Sequence, residues 1–296
     1  MALTSADQRP LMSNRKPKYI NLNKRPTEDQ KVLILTPLKN AAPYLARYFQ
    51  ILQTLDYPKQ LISLAFLVSD TTDRTLDELR TVADSLSDQY DSMDIFVKDF
   101  DFKLSEGNRH GYDVQPQRRA WMARSRNYLL TTALREEHDW VLWLDVDIVQ
   151  FPKSILKDLQ KLDVDVVVPN CLKETEDGSF WGYDQNNWQE TEESIALQES
   201  LDPDVVLLQG YEQLETKRLA MVDMPTHGNP LDKVPLDGVG ATFTLVKANV
   251  HREGVIFPPF PYKHQVETEG FAKMAKTMGF GVYGLPAYLI YHASNG

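Results

Sequence analysis

The sequence predicts an α/β fold in which a mostly parallel central sheet carries helices on both faces. Short apolar segments alternate with amphipathic helical segments as far as residue 169, and the most apolar of them, residues 139–149, has the composition of a buried central strand. This alternation is typical of parallel strands joined by right-handed crossovers. With 296 residues, of which 42% are hydrophobic, the chain has enough apolar material for a large core.

Composition and the N-terminal segment narrow the choices further. Residues 1–30 are polar and contain several X-Pro pairs, so we expect an extended stem there and one domain over residues 31–296. No apolar run is long enough for a transmembrane helix, and the N-terminus lacks a signal-peptide core. A net charge of −10 argues against a nucleic-acid partner. The single cysteine, Cys171, excludes an intrachain disulfide and leaves the redox compartment open.

The first half of the chain reads as repeated strand and helix units. Residues 32–36 predict a strand and residues 40–55 a helix, because apolar side chains recur there at helical spacing. The pattern repeats with a strand over 64–70 and a helix over 74–87, which Thr and Asp residues introduce as caps. A third strand is predicted over 93–97.

The middle of the chain predicts a long loop and then the central strand. Residues 99–113 form a polar segment that is long for a compact domain and therefore a candidate functional loop. We expect a helix over 117–136, the central strand over 139–149, a short helix over 153–162 and another strand over 164–169.

After residue 170, predicted strands and helices no longer alternate regularly. Residues 171–235 are acidic and loop-rich and contain the aromatic residues Trp181, Tyr183 and Trp188, for which a role in covering a ligand and ordinary core packing both remain open. Gly238 and Gly240, which allow close backbone approach to a ligand, precede a strand predicted over 241–246. A helix over 266–278 and a strand over 282–291 complete the prediction.

Asp145 and Asp147 stand one residue apart at the end of the central segment. In an extended strand both side chains would share one face, at the carboxyl end where open α/β sheets bind ligands. Two such carboxylates favour a hard divalent cation, Mg²⁺ or Mn²⁺, completed by substrate phosphates, although the two residues alone leave a solvated acidic turn open. His292, at the end of the last strand, would join this site if the fold returns it there.

Several segments together resemble a known family. The Asp145–Asp147 motif, preceded by a helix containing Arg126, resembles the nucleotide-sugar-binding half of GT-A glycosyltransferases, whose central sheet is Rossmann-like. The closer resemblance is to the fungal Golgi α-mannosyltransferases of the mannan polymerase I family, through residues 34–40, 66–70, 122–130, 143–147, 237–242 and 266–270.

This resemblance implies a retaining, metal-dependent transfer of mannose from GDP-mannose to the mannan chain of N-glycans, with an α-1,6 backbone. It also implies a GT-A catalytic domain over 31–296 and homologous mannosyltransferase subunits in a hetero-oligomeric complex. The expected location is the Golgi lumen, with a type II membrane anchor that lies outside this sequence.

The resemblance also suggests roles for particular residues. Asp147 would bind Mn²⁺ or Mg²⁺ directly, Asp145 would contact ribose, the metal or its water, and His292 would complete the metal site. Nucleoside contacts are expected from Thr36, Pro37, Asn40 and Asp70, and diphosphate contacts from Arg119 and Arg126. The catalytic carboxylates are expected to be Asp237, Glu267 and Glu269.

Other interpretations remain open at this point. A nucleotidyl- or phosphoryl-transfer enzyme would also use carboxylate-bound Mg²⁺, but the chain has neither a G-x-x-x-x-G-K-[ST] nor a G-x-G-x-x-G motif. A non-catalytic scaffold subunit that binds GDP-mannose is a further alternative. Arg119 and Arg126 could lie on a solvated helix face, and Glu267 and Glu269 could simply favour a helix N-terminus.

Overall fold

Parallel strands joined by helices form the first half of the computed structural model, which describes residues 30–102, 111–175 and 177–294. β1 pairs in parallel with both β2 and β4, and β2 pairs in parallel with β3. The elements are β1 (Val32–Leu38), α1 (Ala42–Thr54), β2 (Ile62–Val68), α2 (Thr75–Leu86), β3 (Ser92–Val97), α3 (Gln115–Ala133) and β4 (Trp140–Leu144).

The second half of the chain adds short strands around one long one. Its elements are β5 (Ile148–Gln150), α4 (Ile155–Gln160), β6 (Val166–Glu174), β7 (Phe180–Gly182), β8 (Trp188–Gln189), α5 (Glu192–Glu199), β9 (Leu219–Ala220), β10 (Val234–Pro235), β11 (Phe243–Lys247), α6 (Ala248–Arg252), α7 (Glu267–Thr277) and β12 (Val282–His292). β8 and β9 form a separate two-stranded sheet.

The central sheet has the order β10-β12-β6-β11-β4-β1-β2-β3, with β5 beside β12 and β7 beside β6. β12 is parallel to β6, whereas β11 is antiparallel to both β4 and β6. The predicted mostly parallel α/β sheet is therefore confirmed, with antiparallel β11 at its centre and the short antiparallel strands β5, β7 and β10 beside β12 and β6.

Helices pack on both faces of this sheet, as predicted. On one face, Val32 and Ile34 of β1 join a core with Leu45 and Tyr48 of α1. On the other face, Leu33 and Leu35 join a core that includes α3, α6 and α7. Because side chains alternate along a strand, an uninterrupted apolar segment supplies both cores. Each fully buried aliphatic side chain contributes roughly 1.5–3 kcal/mol.

The predicted central strand over 139–149 is interrupted. β4 ends at Leu144, and Asp145 to Asp147 form a turn before β5. The Ile148 amide donates to the Asp145 carbonyl at 3.3 Å across this turn. The two carboxylates therefore approach each other through a turn and not through strand alternation, which corrects the reason given for their proximity.

Two predicted segments fall wholly or partly outside the described residues. The stem over 1–30 is described only at Gln30, and residues 103–110 of the long polar loop are likewise outside. Within the described part of the chain, no helix is long and apolar enough to cross a membrane.

Candidate functional site

Asp147 and His292 meet at the carboxyl end of the sheet. His292 Nε2 lies 2.9 Å from Asp147 Oδ2, and the Ala293 amide donates to the Asp147 carbonyl at 2.8 Å. His292 is 4% exposed and stacks on the Tyr183 ring, with centroids 3.7 Å apart. Sequence reasoning left open whether the last strand returns His292 to this motif, and the fold places it there.

The protonation of His292 follows from its partners. Its Nδ1 donates to the Ala293 carbonyl at 2.8 Å, which directs Nε2 toward the carboxylate. Burial lowers the pKa of His292, but the hydrogen bond and the negative charge of Asp147 outweigh that effect, so the pKa is raised above its usual value.

Asp145 lies in a strongly negative environment. Burial raises the pKa of Asp145 to about 7, Arg126 opposes the rise, and the charges of Asp147 and Asp184 add to it. Arg126 Nη2 lies 3.5 Å from Asp145 Oδ1. One guanidinium does not neutralise this group of carboxylates, so a further cation would be stabilised here.

These residues fit a divalent cation that also binds a ligand. The described part of the chain contains no cluster of three or more His, Cys, Asp or Glu side chains arranged to hold a metal ion. Asp147 Oδ2 and His292 Nε2 are, however, two suitable donor atoms side by side, and the His292 Nδ1 hydrogen bond fixes the ring as it does in metal-binding histidines. Mg²⁺ and Mn²⁺ commonly take their remaining ligands from substrate phosphates and water.

Arg119 and Arg126 are buried and do not form a solvated basic face. Arg126 Nε donates to Glu267 at 3.0 Å, and Arg119 forms an ion pair with Glu269. Arg126 Nη1 is buried and has no hydrogen-bond partner among the described residues. The two arginines therefore connect α3 to α7, and Arg126 retains a free donor near Asp145.

Glu267 and Glu269 do more than favour the N-terminus of α7. Glu269 is fully buried, and the Trp188 indole Nε1 donates to it at 2.8 Å. Glu267 is buried with a positive φ of 59°, a conformation uncommon outside glycine, and its amide donates to the Pro258 carbonyl. Charge pairing and local backbone strain both concentrate at this helix start.

Asp237 lies among different partners. Its carboxylate accepts from the Glu190 amide at 2.8 Å and forms an ion pair with Lys276. These contacts tie Asp237 to α7 and to the segment after β8, and the structure does not bring it to the Asp147–His292 pair.

The predicted nucleoside-contacting residues lie at the ends of β1 and β2. Asn40 and Asp70 both adopt positive φ, and the Asn40 side-chain oxygen accepts from the Thr72 amide at 2.8 Å. Asp70 accepts from the amides of Phe100 and Asp101, so its carboxylate already orders the loop after β3. The Thr36 hydroxyl is buried against Tyr48 and the whole residue is 0% exposed, whereas Pro37 is half-buried.

Sequence reasoning missed two buried charged residues, Asp184 and Arg218. Asp184 accepts from the Thr242 hydroxyl at 2.8 Å, and its pKa is raised mainly by burial. The Arg218 guanidinium lies over the Trp188 ring at 3.7 Å, with Glu269 at 3.6 Å. Arg218 could have been noticed in the sequence because it is a basic residue within an acidic, loop-rich segment.

The two glycines before β11 approach protein side chains and not a ligand. A Cβ at Gly238 would overlap the Trp188 ring, and a Cβ at Gly240 would overlap the Asp184 carboxylate. This corrects the expectation that these glycines make room for a ligand.

Comparison with known proteins identifies the family. The sequence profile of the Anp1 family matches residues 17–261. The chain belongs to the Anp1 family. It is 44% identical over 275 residues to the mannan polymerase II complex anp1 subunit of Schizosaccharomyces pombe, covering 89% of this chain and 64% of that protein.

Other relatives of this Anp1-family chain are subunits of similar complexes. The mannan polymerase complex subunit mnn9 of Schizosaccharomyces pombe is 41% identical, with coverage of 89% of this chain and 80% of that protein. The mannan polymerase I complex VAN1 subunit of Saccharomyces cerevisiae is 37% identical, with coverage of 88% and 60%. The predicted resemblance is confirmed for mannan polymerase subunits, and it extends to both complex I and complex II. The chain spans about two thirds of the length of these relatives.

The fold of the Anp1-family chain is similar to that of solved GT-A glycosyltransferases. Mannosyltransferase PcManGT from Pyrobaculum calidifontis, solved with GDP-Man and Mn²⁺, matches with a TM-score of 0.53 at 15% identity, covering 93% of this chain and 62% of that chain. GalNAc-T7, solved with UDP, GalNAc and Mn²⁺, also gives 0.53 at 11% identity, covering 91% and 45%. At such identities the likeness establishes the fold alone, and the predicted GT-A class is confirmed.

Proposed function

We propose that this chain is a retaining α-mannosyltransferase subunit that transfers mannose from GDP-mannose to a growing mannan chain within a mannan polymerase complex. The observation that carries the proposal is the Asp147–His292 pair beside Asp145 at the carboxyl end of β4. The relatives, which are mannan polymerase subunits, support the choice of mannose and mannan. The proposed setting is the Golgi lumen, as the family resemblance implies.

In this proposal, Asp147 and His292 hold a divalent cation, with Asp145 contributing charge and a contact to ribose or to bound water. The bound cation supplies positive charge that stabilises GDP as it departs. Mn²⁺ is the first choice to test, and Mg²⁺ the second.

Arg126 is assigned to the diphosphate. Its Nη1 donor is buried and without a partner among the described residues, while Glu267 and Asp145 engage its other nitrogens. A planar guanidinium fixed in this way would meet a phosphate oxygen without further ordering of the side chain. Arg119, held by Glu269, would act on the diphosphate only at longer range.

The three candidate carboxylates support retention of configuration. An inverting enzyme needs a free base at the acceptor hydroxyl, but Asp237, Glu267 and Glu269 each pair with a basic side chain. In front-face transfer the acceptor oxygen bonds to the mannose anomeric carbon as the bond from that carbon to the phosphate oxygen breaks. The hydroxyl proton passes to the departing phosphate, so no protein base is required.

The decisive experiment mixes the purified protein with GDP-mannose, Mn²⁺ and a short α-mannoside. We expect an extended product whose new linkage is α by NMR, and no product from the Asp147→Asn variant. A β linkage, or strong rescue of Glu267→Gln by azide or formate, would contradict the mechanism. Metal-dependent GDP binding without any transfer, alone or with partner subunits, would instead favour a scaffold subunit.

A further inference from the structure

Strand β7 presents two large aromatic side chains to solvent. Trp181 is 57% exposed and Phe180 is 54% exposed, which is unusual for such bulky apolar groups. Trp188, which the sequence analysis grouped with Trp181 and Tyr183, is fully buried. The core-packing interpretation therefore holds for Trp188, while Trp181 requires another explanation.

Strand pairing places Trp181 on the same face of the sheet as His292. Trp181 pairs with Lys173 across β7 and β6, and Lys173 pairs with His292 across β6 and β12. Residues directly opposite each other in a ladder point to the same face. Two strand spacings separate Trp181 from His292, or about 10 Å between backbones.

Phe180 points to the opposite face. This orientation is expected because side chains alternate between the two faces along β7. The Phe180 and Tyr291 rings are in contact, with centroids 5.1 Å apart, which agrees with that orientation. Tyr291 is the neighbour of His292 and lies on the other side of β12. The two exposed aromatic residues are thus separated by the sheet.

Tyr183 connects Trp181 to the candidate site. It lies two residues after Trp181, and its ring stacks on His292. The face therefore carries Trp181 on the exposed edge strand and the stacked rings of Tyr183 and His292 beside Asp147. Lys173 lies between them and offers an ammonium donor on the same face.

We propose that Trp181 is a stacking platform for a sugar ring of the mannan acceptor, a neutral polysaccharide that approaches across this face toward the donor site. The inference rests on the proposed transfer to mannan and identifies where the acceptor binds. A pyranose ring has one face rich in C–H groups, which pack on an indole ring, while its hydroxyls accept hydrogen bonds from groups such as Lys173. The position of Trp181 on the same sheet face as the Asp147–His292 pair, two strand spacings away, favours the acceptor over a protein partner.

The test compares Trp181→Ala with the matched control Phe180→Ala, which removes an equally exposed aromatic ring from the opposite face. We expect Trp181→Ala to raise KM for a mannotriose acceptor about fivefold to tenfold and to leave KM for GDP-mannose unchanged. Phe180→Ala should behave as wild type, and Trp181→Phe should recover most of the acceptor affinity.

A second experiment uses saturation-transfer NMR to measure mannotriose binding in the absence of GDP-mannose. Because this experiment requires no transfer, it separates the inference from the proposed function. A signal that Trp181→Ala loses and Phe180→Ala keeps supports the platform even if no variant transfers mannose. Equal binding by Trp181→Ala and wild type overturns it, as does equal loss in both alanine variants. Unchanged mannotriose binding with weakened association to another subunit would also overturn it, because Trp181 would then be an interface residue.

Discussion

In the proposed function, one imidazole serves two alternative partners, Asp147 and a cation. With its Nδ1 proton directed to a backbone carbonyl, the ring presents Nε2 either as a proton donor to Asp147 or, when deprotonated, as a lone pair for a metal. The sequence indicated both residues, but only the arrangement of β12 beside β5 and β6 brings them together.

At this residue scale, Asp147→Asn should abolish metal-dependent nucleotide binding while the fold persists. We expect GDP affinity in Mn²⁺ to fall about 100-fold or more, because an amide is a poor substitute for a carboxylate ligand. In the absence of metal, the pKa of His292 should fall, because the charge of Asp147 no longer raises it. Calorimetry measures the first effect and an NMR titration the second.

The control is Asp56→Asn, which removes an exposed carboxylate paired with Lys157. It should change neither measurement. An Asp147→Asn protein that binds GDP as tightly as wild type in Mn²⁺ would show that Asp147 is not a metal ligand.

We also expect GDP to bind only when a divalent ion is present. Asp145, Asp147 and the diphosphate repel each other, and Asp184 adds to the negative field around Asp145. Calorimetric titrations with Mn²⁺ and with a chelator provide the comparison, and equal affinity under both conditions would refute this expectation.

His292→Ala should weaken the metal-dependent binding in the same titration.

At the scale of elements, buried ion pairs join α3 to α7. Arg119 and Arg126 lie two helical turns apart on α3 and reach Glu269 and Glu267, at sequence separations of 150 and 141 residues. Sequence reasoning selected all four residues but gave them separate roles, because no local pattern reveals a partner so distant in the chain. Their pairing is a property of the tertiary structure.

This arrangement predicts that Glu269→Gln destabilises the protein by about 3 kcal/mol. The variant keeps an acceptor for Trp188 but leaves the buried Arg119 and Arg218 guanidinium groups without their shared countercharge. Urea unfolding followed by circular dichroism measures the change.

Glu78→Gln on α2 is the matched control, because the exposed ion pair of Glu78 with Arg74 contributes little. Its free energy of unfolding should stay within about 0.5 kcal/mol of wild type. A similarly small change for Glu269→Gln would mean that the α3 and α7 pairing is not structural, and would return Glu269 to the list of carboxylates available for catalysis.

At the scale of the whole molecule, the sequence predicted the α/β class, the two helical layers and most strands before residue 170. Those elements depend on local apolar periodicity. The direction of β11 and the short pairing of β8 with β9 depend on neighbours distant in sequence, and apolar periodicity does not encode direction. The same distinction applies to the candidate site. A local motif predicted Asp145 and Asp147, whereas the positions of Asp184 and Arg218 depend on tertiary packing.

Two buried histidines should each lower the free energy of unfolding in mild acid, whereas Asp145, Asp184 and His292, whose pKa values are raised, act in the opposite direction. Burial lowers the pKa of His138 and of His251 to about 4, below the ordinary 6.5 expected when unfolded. The unfolded chain therefore takes up these two protons first, so the contribution of each histidine to stability is lost as pH falls from about 6.5 to 4. Each histidine should cost about 2 kcal/mol at pH 5 relative to pH 7.5.

His251→Phe isolates one of these contributions. The ring packs against Trp143, Phe257 and Phe271, so a phenyl group suits the site, and the Trp143 donor it leaves unpaired adds a cost that does not vary with pH. Between pH 7.5 and pH 5, the free energy of unfolding measured in urea should fall by about 2 kcal/mol less, or rise by about 2 kcal/mol more, in this variant than in wild type. The exposed His227→Asn control should retain the full difference, and an unchanged difference in His251→Phe would contradict the assignment.

The return of β12 to the turn after β4 also sets an order of events during biosynthesis. A ribosome releases Asp145 and Asp147 when about half of this sequence has been translated, but His292 emerges only after the strands between them. A nascent chain therefore carries the two acidic side chains long before it carries their imidazole partner. At the proposed cation site, binding by both Asp147 and His292 would therefore begin only after β12 has paired beside β6, late in the synthesis of this sequence.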